Sequence, residues 1–233
     1  MRPSGRPYHW PMSAGTAGWA RRARYPLAIA AAGAVAFAVI ALWANAGGTP
    51  SIDSSIESWV VDHRTPAVTS VAKIVTWLGS GAVLYPAVAV LALVWWWRRR
   101  DWRPGLALAV ALGGATALYT ILKPVFERPR PPAQDAVGTY SHWSFPSGHA
   151  TQSMAFYAVL AFLLTVGVSR RTRWWLGAAL VILVVGATRI YLGAHWFTDV
   201  LGGYAIGGCW AALVAAALVV IRVRASQAAH QRE

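Results

Sequence analysis

Long apolar stretches alternate with short polar clusters along the chain. The apolar runs cover roughly 25–46, 80–97, 104–122, 149–168, 174–193 and 199–221. Each approaches the ~20 residues that a helix needs to cross a bilayer, so six transmembrane helices are predicted. Segment 51–79 is less apolar. In it Ile52, Ile56 and Val60, then Val71, Ile74, Val75 and Leu78, recur at helical spacing, and Pro66 divides the two sets. This predicts a pair of amphipathic helices lying on or entering the membrane surface; an ordered loop is the plainer alternative. The expected fold class is therefore all-α, a polytopic membrane protein with six spans and interfacial helices after the first.

Residues 1–20 and 225–233 lack periodicity and read as disordered. The expected organisation is a basic tail over 1–24, a six-span domain over 25–222 and a second tail over 223–233. Arg21-Arg22 before the first run and Ala44-Asn45-Ala46 near its end also fit a cleaved signal peptide, but the run is longer than a usual signal core. Gly203 and Gly207 form a small-xxx-small pair in the last run, which suits helix packing.

Composition agrees: 57% of the 233 residues are hydrophobic and 12% charged, against about 25% charged in soluble domains. The net charge of +13 would suggest nucleic acid in a soluble protein. Here the cations sit in clusters between apolar runs, which argues for membrane topology and against a nucleic-acid partner. Fifteen Lys and Arg lie before the first span, between the second and third, between the fourth and fifth, and after the sixth, all on one side. The other side has six: Arg64, Lys73, Lys123, Arg128, Arg130 and Arg189. The positive-inside rule places the fifteen, and both termini, in the cytoplasm. One cysteine, Cys209, excludes an intramolecular disulfide.

Four of the six outer cations fall in three segments that end apolar runs. Lys123, Arg128 and Arg130 belong to a proline-studded stretch, and Arg189 sits at the outer end of the fifth span, where a charge is expensive and usually functional. Guanidinium binds phosphate oxygens bidentately, and lysine acts as a compact point charge. Contact with lipid headgroups is the plain alternative for the exposed ones. In Pro146-Ser147-Gly148-His149, Ser147 is a candidate N-cap and Gly148 allows close backbone approach. Free N–H groups at a helix start suit phosphate. His195 and Asp199 are four apart. Asp199 can accept from one ring nitrogen, fix the tautomer and leave the other free to attack. It can also cap the sixth helix, or do both.

Taken together, Lys123 with Arg130-Pro131, Pro146 to His149, and Arg189 with His195 and Asp199 resemble the type 2 phosphatidic acid phosphatase family of membrane lipid phosphatases, related to vanadium haloperoxidases. Its pattern is K-x6-R-P, P-S-G-H and S-R-x5-H-x3-D. Thr188 stands where the family usually has Ser. The resemblance implies that His195 attacks phosphorus to form a phosphohistidine, Asp199 orients it and His149 protonates the leaving oxygen. It implies that Lys123, Arg130, Ser147, Gly148 and Arg189 hold the phosphoryl oxygens, without metal or cofactor. The implied partners are membrane lipids and a lipid phosphate or diphosphate of the undecaprenyl diphosphate, phosphatidylglycerol phosphate or phosphatidic acid type, met on the extracytoplasmic face.

Three rival readings fit less well. A serine hydrolase built on Ser147, His149 and Asp199 lacks a G-x-S-x-G elbow and gives Lys123, Arg130 and Arg189 nothing to do. A metal site from His142, His149, His195 and Asp199 would be opposed by the surrounding cations. A non-catalytic headgroup binder or transporter would not need a nucleophile, its orienting carboxylate and an acid together.

Overall fold

The structure, a computed structural model, describes residues 16–140, 142–165 and 172–230. Among them the regular elements are helical: α1 (Thr16–Asn45), α2 (Ser51–Asp62), α3 (Pro66–Val75), α4 (Gly81–Arg99), α5 (Arg103–Phe126), α6 (Gly148–Thr165), α7 (Thr172–Tyr191) and α8 (Phe197–His230), with 3-10 turns at Thr76–Gly79 and Ala133–Asp135. The predicted pair over 51–79 is α2 and α3. Thr65 caps α3 by accepting the Val68 N–H (3.4 Å), with Pro66 in its first turn, where the missing donor costs nothing.

Among the described residues five helices are long and apolar enough to cross a membrane: α1 from Ala23, α4, α5, α7, and α8 to Ile221. The sixth expected span is α6, which does not reach that apolarity over its 18 described residues. Its first turns carry His149, Thr151, Gln152 and Ser153, the last three buried. A helix surrounded by other helices need not be apolar towards lipid, and α6 packs against α5, α7 and α8.

Helix ends differ from the expected boundaries. α1 begins at Thr16 and α8 runs to His230, so parts of both expected tails are helical; both stretches are rich in Ala and Arg, which are strong helix formers. Residues 1–15 and 231–233 lie outside the described residues. Pro124 does not stop α5, which continues to Phe126 and ends at Glu127 in a left-handed conformation (φ 45°), its N–H bonded to Lys123 O.

The main core is Leu84 and Val88 of α4, Leu108 and Leu112 of α5, Phe156 and Val159 of α6, and Val214 of α8. α8 is the central strut, packed on α1 and α6. The predicted role of Gly203 and Gly207 holds: a Cβ on Gly203 would stand 2.8 Å from Ser147 O, and one on Gly207 2.6 Å from Thr151 O. These two glycines let the start of α6 lie directly on α8. Above it Phe145 is fully buried against Phe37 and Phe126 and against Gly202, where a Cβ would come 2.5 Å from its ring. That packing anchors the loop that enters α6.

Candidate active site

Four chain segments meet at one end of the bundle: the end of α5 with the loop after it, the start of α6, the end of α7, and the turn into α8. They hold the three predicted segments, the end of α7 and the turn into α8 belonging to one of them; the loop over 131–140 and 142–144 is the addition. Gly193, in the left-handed region (φ 67°), lets this loop approach, since a Cβ there would stand 2.6 Å from Asp135 O. Val137 N–H donates to Leu192 O (2.9 Å), and Arg64 Nη1 donates to Asp135 O (2.7 Å).

His195 is buried in the turn between α7 and α8. Its Nδ1 lies 3.5 Å from Asp199 Oδ2 and 3.3 Å from Ser144 Oγ. Its Nε2 lies 3.4 Å from Arg130 Nη1. Arginine can only donate, so Nε2 presents its lone pair and the ring proton belongs on Nδ1. Burial, then Arg130, Lys123 and Arg189, hold this imidazole neutral well below the ordinary histidine range. The His195–Asp199 contact is longer than a good hydrogen bond, and Ser144 sits beside it, donating to Asp199 Oδ2.

Asp199 is wholly buried. Oδ2 also accepts the Trp196 N–H (2.9 Å), closing the reciprocal half of a capping box at the start of α8. The carboxylate therefore both caps the helix and faces the histidine. Oδ1 accepts from Arg128 Nη1 (2.5 Å). Sequence reasoning counted Arg128 only as an outer cation and did not foresee its buried place against Asp199; it missed Ser144, Asp53 and Thr198.

Arg130 donates from Nε to His142 O (2.9 Å) and from Nη1 to Ala194 O. Lys123 donates to Trp143 O and to Ser144 O (3.3 Å). Arg189 is buried and donates from Nη1 to Thr76 Oγ1 (2.9 Å), while its Nε is buried without a partner. The Tyr140 ring lies against both guanidinium groups, 5.6 Å from Arg130 and 5.2 Å from Arg189. His149, at the start of α6, lies in the combined field of Arg189, His195, Arg130 and Lys123.

Ser147 departs from its expected role as a side-chain cap. Its carbonyl accepts the Thr151 N–H (3.0 Å) and its N–H donates to Asp199 O (3.0 Å), but its Oγ is buried with no partner. Gly148 has Tyr119 across from it, with an added Cβ 3.2 Å from that ring. Thr188 turns its hydroxyl back on its own helix, to Val185 O (2.6 Å).

The site thus combines a neutral imidazole with a presented lone pair, three cations, and two buried polar atoms, Ser147 Oγ and Arg189 Nε, without protein partners. Such a set is matched to a tetrahedral oxyanion. Comparison with known proteins agrees. Residues 104–222 match the family model described as PAP2 superfamily. Phosphatidylglycerophosphatase B of Bacillus subtilis is 30% identical, the match covering 73% of this chain and 85% of that protein. Decaprenylphosphoryl-5-phosphoribose phosphatase of Mycolicibacterium smegmatis is 35% identical, over 59% of this chain and 72% of that one. Among solved structures, the PAP2 type phosphatidylglycerolphosphate phosphatase from Bacillus subtilis superposes with a TM-score of 0.75 at 29% identity, covering 79% of this chain and 93% of that one. The chain belongs to the PAP2 superfamily of membrane phosphatases.

Proposed function

We propose that this lipid phosphatase hydrolyses a lipid phosphate or diphosphate through a phosphohistidine on His195, at the outer face of the membrane and without a metal. The observation that carries the proposal is the division of labour on one ring: Nδ1 faces Asp199 and Ser144, and Nε2 faces Arg130 and the cations.

The lone pair of Nε2 forms the N–P bond as the bond from phosphorus to the lipid oxygen breaks. His149 gives that oxygen its proton. Water then attacks the phosphohistidine, His149 takes the proton back, and inorganic phosphate leaves a neutral His195. Lys123, Arg130 and Arg189, with Ser147 Oγ and the Gly148 N–H, hold the equatorial oxygens. Positioning and charge stabilisation are the main demands of phosphoryl transfer, and three cations meet the second demand where other enzymes use magnesium.

The substrate class is a phosphate carried on a lipid, of the phosphatidylglycerol phosphate, phosphatidic acid or undecaprenyl diphosphate type. The names of the two relatives, one built on phosphatidylglycerol and one on a decaprenyl carrier, support that class. The positive-inside asymmetry supports an extracytoplasmic site and cytoplasmic termini.

The test is a phosphoenzyme trap. Purified protein mixed with phosphatidic acid labelled at phosphorus and quenched in alkali should carry label that is acid-labile and absent in His195→Ala. Activity should survive chelators and fall with vanadate. Label retained by His195→Ala, or activity lost in EDTA and restored by magnesium, would overturn the mechanism.

A further inference from the structure

Arg128 differs from the other arginines of the site in what its nitrogens face. It is 4% exposed, and both terminal nitrogens are engaged by protein oxygens. Nη1 donates to Asp199 Oδ1 (2.5 Å) and Thr198 Oγ1 (2.7 Å), and Nη2 donates to Asp53 Oδ2 (2.7 Å). Asp53 comes from α2, on the interfacial segment, and is itself wholly buried. Its Oδ1 accepts the Thr198 N–H (2.9 Å) and its Oδ2 the Thr198 hydroxyl (2.6 Å). Asp53, Arg128 and Thr198 therefore close a ring of hydrogen bonds around the first turn of α8, and Asp199 is attached to that ring by Oδ1.

A carboxylate rotates unless both oxygens are held. Here Oδ1 is fixed by Arg128, and Oδ2 is left facing Trp196 N–H, Ser144 and His195 Nδ1. Stability alone is a poor reason for the arrangement. Two buried carboxylates and one guanidinium retain net charge, and buried ion pairs can often be replaced by apolar packing without loss. Fixing a geometry is a better reason.

We infer that Arg128 is a positioning residue for the reaction, anchored by Asp53, and that it sets the rotation of Asp199 so that Oδ2 faces the nucleophile's Nδ1. The interfacial helix α2 is then part of the catalytic apparatus, through one side chain that never meets substrate. This inference rests on His195 being the nucleophile.

The experiment uses full-length protein in lipid nanodiscs. It compares wild type, Arg128→Lys and Thr198→Val, each also in an Asp199→Asn background, by the single-turnover rate of phosphoenzyme formation and by the affinity for inorganic phosphate. Lysine keeps the charge but cannot bridge Asp53 and Asp199 together. Thr198→Val is isosteric and removes one acceptor from Arg128 and one donor to Asp53. Both should slow phosphoenzyme formation by about 10–100-fold, the usual effect of losing an orienting partner behind a reacting group, with the affinity for inorganic phosphate, held by the cations, unchanged. In the Asp199→Asn background the same substitutions should cost little, because residues acting through one group are not additive. A purely structural role would give the same loss in both backgrounds, or a parallel loss of phosphate affinity, and would overturn the inference; so would undiminished rates in Arg128→Lys. Should Arg128→Lys not accumulate as folded protein, Thr198→Val carries the comparison. A wild-type protein that forms no phosphohistidine would sink the functional reading itself, whereas a labelled wild type with equally fast variants sinks this inference alone.

Discussion

Arg130 Nη1 lies 3.4 Å from Nε2 of His195, on the side of the ring away from Asp199. A cation beside a presented lone pair cannot serve as the base. It can draw an anionic phosphoryl group onto that nitrogen. The two histidines should therefore fail differently. His195→Ala should form no phosphoenzyme with any substrate. His149→Ala loses the proposed proton donor, an effect of about 10²–10⁴ in rate, but should keep far more of its activity on an aryl phosphate, whose leaving group needs little protonation, than on a lipid phosphate. Rates on the two substrates for each variant check this. Equal losses in His149→Ala would remove its assignment as the acid.

Burial and three cations hold His195 neutral well below the usual histidine range. Its neutral form, the proposed nucleophile, should thus persist as pH falls below about 6.5, the ordinary histidine value. The acid limb of kcat/KM, corrected for ionisation of the substrate, should lie well below that pH. The same shift has a stability sign. An unfolded His195 takes up a proton near pH 6.5 and the folded one does not, so folding stability from this residue is complete above that value and declines as pH falls below it. Melting temperature against pH, wild type beside His195→Ala, measures the difference.

Arg189 is clamped through Nη1 to Thr76 and leaves Nε without a protein partner. Arg189→Lys keeps the charge and loses the planar fork. Loss of one preorganised donor typically costs ~10²–10³ in rate, and the variant should fall in that range in kcat/KM. Wild-type kinetics in Arg189→Lys would mean that the guanidinium is a structural strut to Thr76.

Seven of the eight residues singled out in the sequence bring distinctive chemistry, and the eighth, Gly148, was picked from its neighbours. Lys123, Arg130, His149, Arg189, His195 and Asp199 were legible because a charge or an imidazole at the end of an apolar run has few structural excuses; Ser147 was legible only as a candidate helix cap, a role its hydroxyl does not take. The helices were legible from their length and apolarity, except that α6 is polar where it meets the site. The network behind Asp199 was not legible. Asp53 and Thr198 are 145 positions apart, and Asp53 reads as an ordinary first-turn acid of an amphipathic helix. Arg128 was visible as a charge, but nothing local distinguishes a buried arginine bonded to two carboxylates from one turned to headgroups. Ser144 differs from other serines only through the fold that brings it beside His195.

Gly203 sets the spacing between α6 and α8. An added Cβ would meet Ser147 O at 2.8 Å and Ala150 Cβ at 2.8 Å. Gly203→Val should cost about 1–3 kcal/mol as overpacking and displace Ser147. Activity should fall more than the melting temperature suggests, while Gly177→Ala, in open space on α7, should leave both unchanged.

The inferred orientation predicts that a cysteine at Gln134, exposed in the loop beside the site, is labelled by an impermeant reagent in intact cells carrying Cys209→Ala. A cysteine at Arg99 should be labelled only after permeabilisation. The reverse pattern would invert the topology.

Lys123 and Arg130 are parked on carbonyl oxygens of 142–144 and 194. Carbonyl dipoles hold the cations in place without cancelling their charge, so the pocket remains an anion trap at every stage of the cycle. A trap of this kind grips the departing phosphate much as it grips the arriving one. On the proposed mechanism, escape of product is expected to compete with bond breaking as the ceiling on turnover, and free phosphate in the surrounding medium to act as a brake. A medium poor in phosphate would release that brake.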